Sequence, residues 1–326
     1  MSENVAPLAR RHGLNVPRSL PRTLLIGMLA ACTPVEPDGA APASAPEASP
    51  QARPMFELPA DWLAWNEPLA PFRIAGNLYY VGMRNVGAYA VKTPEGTILI
   101  DTGFEQSVPH VIAALKTIGV EPGDVKMILT SHAHVDHAGG VAAIRELTGA
   151  RYVASADDGA QMAAGGRGDF SMEDDEVVWP PVKADRIVKD GDTVSLGGTT
   201  LTAHVTPGHT RGCTTWSTTV EEGGRTLAVL YPCGTTAPGY DLVDNPRWPG
   251  IAAAFRGSFD RMAALPCDIL LDGHPERMDI EAKAARAKRH GVRAFVDPAS
   301  CKAYLGRARA AFETELSRQE AGGAID

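Results

Sequence analysis

Short apolar runs punctuated by turn residues fill the middle of the chain. Residues 73–75 and 78–81 flank Gly76-Asn77, and 88–91 and 97–100 flank Pro94-Glu95-Gly96, so each pair reads as a β-hairpin. Apolar positions then recur at helical spacing at Val111, Ile112, Leu115 and Ile118, which predicts a helix over 106–118. Next come a short buried strand at 125–130, a helix at 141–147, a strand at 151–154 and a helix at 156–164. The stretch 165–181 has no periodicity; it is Gly, Asp, Glu and Pro with Phe170, Met172 and Trp179 among them. It reads either as a functional lid or as a surface loop whose aromatic residues pack down. Strands resume at 186–188, 193–196, 200–206, 214–220 and 226–231, followed by a helix at 251–264, a strand at 268–271 and helices at 280–290 and 298–320. Strands plus helices occur twice over. Two sheets facing each other with helices outside, an α/β arrangement, satisfy that order.

The chemistry concentrates between the strand at 125–130 and the helix at 141–147, in His132-Ala133-His134-Val135-Asp136-His137. Crowding imidazoles and a carboxylate in one turn costs desolvation and charge repulsion unless they share a cation. Neutral imidazole and carboxylate suit a divalent ion such as zinc. A strand-to-helix turn at the C-terminal edge of a sheet is also where α/β folds place their sites. Two further histidines follow predicted strands: His209 in Thr206-Pro207-Gly208-His209-Thr210 and His274 in Leu271-Asp272-Gly273-His274-Pro275.

Composition narrows the picture. The 326 residues are 44% hydrophobic and 21% charged, as in soluble globular proteins, and the formal net charge of −8 without a basic run disfavours nucleic-acid partners. The five cysteines, at 32, 213, 233, 267 and 301, form no Cys-x-x-Cys pair, so no thiolate zinc site is expected; Cys213 reads as a small buried hydrophobe. Arg10, Arg11, Arg18 and Arg22 precede an apolar run at 24–31 that is too short to span a bilayer, so 1–31 reads as a secretory signal. Leu29-Ala30-Ala31-Cys32 resembles a bacterial lipobox, which implies a lipid on Cys32; ordinary cleavage in the Ala-rich stretch beyond it is the alternative. Residues 32–54 are a Pro/Ala-rich sequence that cannot bury a core, a disordered tether before a domain at 55–326. The expected location is the periplasm, with membrane contact only through the N-terminal lipid anchor, possible at the outer membrane.

The spacing His-x-His-x-Asp-His, followed by Gly208-His209-Thr210 and Gly273-His274, resembles the metallo-β-lactamase superfamily, and Asp101-Thr102-Gly103 matches that family's first-strand motif. Longer stretches are similar to the subclass B-three metallo-β-lactamases: WNEP at 65–68, PGHTRGCTTW at 207–216, PGYDLVDNPRWPGI at 238–251 and LPCD at 265–268. The likeness runs from about Trp62 to the last helix. It implies an αββα sandwich with two zinc ions at its edge, the first on His132, His134 and His209, the second on Asp136, His137 and His274. Three protein ligands per ion leave positions open for water. The implied activity is hydrolysis of the β-lactam amide bond by a metal-bridging hydroxide. Asp136 would orient that hydroxide as the catalytic side chain, and Asp101 would support the metal loop. The implied partner is a small-molecule β-lactam, taken by a monomer. Cys267 and Cys301 fall where the family has a disulfide. Where the family usually carries a serine for the substrate carboxylate, this chain has Gly234; Thr235 and Thr236 follow and are the substrate-binding candidates. Cys233, next to them, could reach the second metal site with a shift in register. The rivals are a lactonase or thioesterase of the same superfamily, which generally brings a metal-bridging carboxylate to the strand end near Tyr231, and a non-catalytic zinc-binding envelope lipoprotein.

Overall fold

Both hairpins open the first sheet. The computed structural model describes residues 54–60, 62–171 and 177–323, all within the unit Ala52–Asp326. The proposed signal, Cys32 and the tether up to residue 53 lie outside the described residues. Strands β1 (Phe72–Ala75) and β2 (Leu78–Tyr80) pair antiparallel around Gly76-Asn77, with Gly76 at φ +50° as a two-residue hairpin turn demands. Strands β3 (Tyr89–Thr93) and β4 (Gly96–Ile100) turn at Pro94-Glu95. Parallel strands β5 (Val125–Leu129), β6 (Arg151–Ser155) and β7 (Arg186–Val188) complete a seven-stranded sheet in sequential order. Its crossovers carry α1 (Val108–Thr117), α2 (Val135–Ala138), α3 (Val141–Thr148) and α4 (Ala156–Ala163). The second sheet has the order β12-β11-β10-β9-β8, from β8 (Thr193–Leu196), β9 (Thr199–Val205), β10 (Thr214–Glu222), β11 (Arg225–Tyr231) and β12 (Ile269–Leu270). Helices α5 (Ile251–Ala263), α6 (Ile280–His290) and α7 (Pro298–Glu320) close the chain.

Three apolar layers follow from side-chain alternation. On β4, Ile98 and Ile100 point into the core between the sheets, where they meet Leu201, Trp216 and Val229, whereas Leu99 points to the outer core under α1 and α3. A strand covered on both faces must be apolar on both, which is why β4 is apolar without a break from Ile98 to Ile100 and β5 from Met127 to Leu129, while Lys126 at the start of β5 is exposed. A third core packs Phe255 and Phe259 of α5 and Leu305 and Phe312 of α7 over Leu230 and Leu270. The layers are therefore helix, sheet, sheet, helix, the αββα sandwich that the resemblance implied. Among the described residues no helix is long and apolar enough to cross a membrane.

Two readings change. Phe170 and Trp179 are buried in separate cores, so the described part of 165–181 is packed down; residues 172–176 lie outside the description. Cys213 is buried but is not a free thiol: it bonds to Cys233. The antiparallel register that sets Trp216 opposite Tyr231 brings the start of β10 beside the end of β11, and the two cysteines meet there. That bond also removes Cys233 as a candidate for a metal. Cys267 and Cys301 form the expected bond between the approach to β12 and α7.

Candidate metal centre

The centre is assembled at strand ends. Immediately after β4, Asp101 adopts a left-handed φ of +56°, a conformation that costs a non-glycine residue about 1–3 kcal/mol unless its surroundings hold it. They do. Its fully buried carboxylate accepts from Ser131 N–H at 2.6 Å, Ser131 Oγ at 2.7 Å, His137 Nδ1 at 3.1 Å and the Tyr231 hydroxyl. The histidine loop leaves β5 beside it, and α2, too short to show a helical period in the sequence, presents Asp136 and His137 on one turn. His209 comes from the turn after β9 and His274 from the turn after β12.

All six residues converge. The ligand atoms of His132, His134 and His209 lie within 4.8 Å of one another, as do those of His132, Asp136 and His137. His134 Nδ1 is 3.1 Å from His209 Nε2. Asp136 Oδ2 is 3.0 Å from His137 Nε2 and 3.4 Å from His274 Nε2.

The other nitrogen of each ring is held by protein. Ser131 Oγ spends its proton on Asp101, so at 3.0 Å it accepts from His132 Nδ1. His137 Nδ1 donates to Asp101, and His134 Nε2 donates to Asp169 Oδ2 at 3.1 Å. His209 Nδ1 donates to the Thr236 carbonyl at 2.7 Å, and His274 Nδ1 to the Asn85 carbonyl at 3.1 Å. Each ring thus has one nitrogen held outward and the other turned inward, the arrangement in which outer partners orient metal-binding imidazoles; His137 carries a proton on its inward nitrogen until a metal replaces it. Nε2 of His132 and of His137 are buried without a hydrogen bond; the close approach of His137 Nε2 to Asp136 is a charge contact without hydrogen-bond alignment. Orphaned polar atoms of this kind cost about 1–3 kcal/mol each, a cost that a shared cation removes. The residues fit a divalent metal.

Electrostatics agree. Burial and the neighbouring imidazoles hold His132 and His209 well below the usual histidine range, and burial takes His274 down to about 3, so these rings stand neutral. Burial alone would also lower His137, but Asp136 and Asp101 outweigh it and push it up to about 10. Asp136 is correspondingly held far below the carboxylate range, against its own burial, by His137 and its neighbours.

Sequence reasoning missed two carboxylates. Asp169, in the irregular segment, is buried, anchors His134 and is itself held by Gln161 Nε2 at 2.7 Å and by Ser171. Asp158 on α4 accepts from Ala133 N–H, Thr210 Oγ1 and Gly212 N–H, and so ties the His132–His137 loop to the His209 turn; burial pushes it up to about 7. Neither had a signal, because each acts through a loop distant in sequence. Replacing Asp169 by alanine is expected to weaken metal binding by about 10-fold or more, read by competition with a chromophoric chelator.

The substrate candidates divide. Thr236 is exposed and lines the same cavity as His132, His137, His209 and His274. Thr235 does not: it is buried, and its hydroxyl meets the Tyr304 hydroxyl at 3.0 Å. Gly234 also lines the cavity, with its backbone laid against the His209 ring.

A family model described as the metallo-beta-lactamase superfamily matches residues 81–219. The solved structure of native FEZ-1 metallo-beta-lactamase from Legionella gormanii is 40% identical, with a TM-score of 0.76, over 78% of this chain and 98% of that one. The chain belongs to the metallo-β-lactamase superfamily. Within that superfamily, BJP-1, a subclass B3 metallo-beta-lactamase of Bradyrhizobium japonicum, is 38% identical with a TM-score of 0.75, over 79% of this chain and 98% of its own. An N-acyl homoserine lactonase from Bacillus cereus is 33% identical over 78 residues, a segment that spans only 31% of the lactonase and 17% of this chain. The metallo-β-lactamase likeness is thus nearly full-length to the subclass B3 structures and partial to the lactonase.

Proposed function

We propose that this superfamily hydrolase is a zinc β-lactamase. The observation that carries the reading is the likeness, at 38–40% identity and over 98% of their length, to the two solved β-lactamases. The lactonase and thioesterase readings call for a carboxylate at the end of β11. Here that position is Pro232-Cys233-Gly234, with Cys233 tied to Cys213.

His132, His134 and His209 would hold one ion, and Asp136, His137 and His274 the other. When bound, zinc supplies Lewis acidity and lowers the pKa of a coordinated water from about 15.7 towards 7. The protein's part is positioning. Ser131, Asp101, Asp169 and the Thr236 and Asn85 carbonyls hold one proton of each ring outward, and His137, protonated in the metal-free protein, would give up its Nε2 proton when a metal binds. Asp136 brings the carboxylate that faces the cluster and is placed to orient an attacking water. Thr236 offers a hydroxyl at the mouth for the substrate's polar groups. Both disulfides, and the leader with Cys32, suit an exported, periplasmic setting with a lipid anchor.

The test is kcat/KM on a penicillin, a cephalosporin and a carbapenem beside an acyl homoserine lactone and an acyl thioester, with metal content measured on the same sample. At least one β-lactam should exceed roughly 10⁴ M⁻¹s⁻¹ and lose its turnover on chelation. Tenfold faster cleavage of the lactone or the thioester would reject the reading.

A further inference from the structure

We infer that Arg277 is the cationic anchor for the carboxylate of the substrate, an assignment that rests on the β-lactamase reading above. A penicillin, cephalosporin or carbapenem carries a carboxylate beside its strained amide, so the site needs a group that recognises an anion. The wall next to the candidate ligands has little to offer. Gly234 has no side chain and no room for one, because an added Cβ would lie 2.2 Å from His209 Cδ2. Thr235 faces Tyr304. Thr236 remains, a neutral hydroxyl.

Arg277 lines the same cavity as Thr236, His209 and His274. The 3-10 turn Pro275–Met278 follows His274 directly, and the Arg277 N–H donates to the His274 carbonyl at 3.0 Å, so the position of Arg277 is tied to a candidate ligand. Its side chain is one-third exposed (33%), and its ion-pair partner among the described residues is Glu276, at 3.8 Å. That separation is too long for a hydrogen-bonded pair, and the planar fork is left open for a carboxylate. Asp272 lines the cavity too: its Oδ1 accepts the His274 N–H at 2.9 Å, and its buried Oδ2 makes no hydrogen bond, so it feels the Arg277 charge without holding the guanidinium. A guanidinium beside the metal cluster and a hydroxyl on the neighbouring turn make a two-part anion site, one part charged and one neutral.

The test takes whichever of a penicillin, a cephalosporin and a carbapenem has the highest kcat/KM and compares it with its carboxylate methyl ester in wild type, Arg277→Ala and Arg277→Lys, with zinc content and melting temperature on each sample. The wild type should prefer the acid. Arg277→Ala should lower the acid-to-ester ratio of kcat/KM by about 10- to 100-fold, chiefly through the KM of the acid, with lysine restoring part of it and zinc content unchanged. A wild type that cleaves both forms with no preference, or an Arg277→Ala ratio equal to that of wild type, overturns the anchor alone. A wild type that cleaves neither form overturns the β-lactamase reading and the anchor with it.

Discussion

Gly234→Ser should damage the site, although serine is the residue that the resemblance to subclass B-three enzymes leads one to expect there. A Cβ at this position would stand 2.2 Å from His209 Cδ2, 2.3 Å from Cγ and 2.8 Å from Cβ. The ring cannot give way freely. Its Nδ1 is bonded to the Thr236 carbonyl, two residues from the substitution, and the Tyr240 hydroxyl donates to the His209 carbonyl. Relief therefore requires rotating the imidazole, which carries Nε2 away from its place 3.1 Å from His134 Nδ1. Overpacking of this kind costs about 1–3 kcal/mol of stability, and disturbing the support of a ligand costs about 10- to 100-fold in metal affinity. Thermal melting and chelator competition measure both. A serine variant with unchanged affinity and stability would show that the backbone shifts to make room.

Asp136→Asn should have the larger effect on turnover. It changes one atom of the carboxylate that lies within 3.4 Å of both His137 and His274. The neutral amide is a poor zinc ligand and cannot orient water as an anion does. Loss of one metal equivalent and a fall in kcat/KM on the order of 10³-fold are expected, measured by metal analysis and steady-state kinetics. The metal-free protein carries a second signature. His137 is raised to about 10, above the histidine value in the unfolded chain, so its pairing stabilises the metal-free fold fully below about pH 6.5 and is lost as pH rises towards 10. Asp136 is lowered, so its share is present above about pH 4 and is lost in acid. Asp136→Asn removes the strongest charge partner of His137. Thermal melts of chelator-treated protein should therefore fall less steeply between pH 6.5 and 10 in the variant than in wild type.

What could be read in the sequence, and what could not, has a physical pattern. β1 to β4 were legible because Gly76-Asn77 and Pro94-Glu95 punctuate apolar runs, and α7 because its 23 residues are rich in the helix formers Ala, Arg and Glu. Four of the candidate ligands were legible because imidazoles and a carboxylate crowded in one loop have few other uses; His209 and His274 were assigned through the resemblance to the metallo-β-lactamases. The Cys213–Cys233 bond was not: it depends on the register of β10 against β11, which no local pattern encodes. Asp169 reaches His134 from a segment without periodicity, and Thr235 differs from Thr236 only in which way the backbone turns its side chain. Pairing and orientation are tertiary properties.

The six candidate ligands are drawn from both halves of the sandwich: four from the loop after β5, one from the turn after β9 and one from the turn after β12. A cation seated among them would act as a rivet. By mass action, whatever loosens either half would then weaken the rivet, and whatever withholds zinc would loosen the halves. The steady-state amount of folded chain in a cell should thus follow zinc supply, and variants with lesions far from the cluster, in the core of either sheet, should be the first to disappear when the ion is scarce.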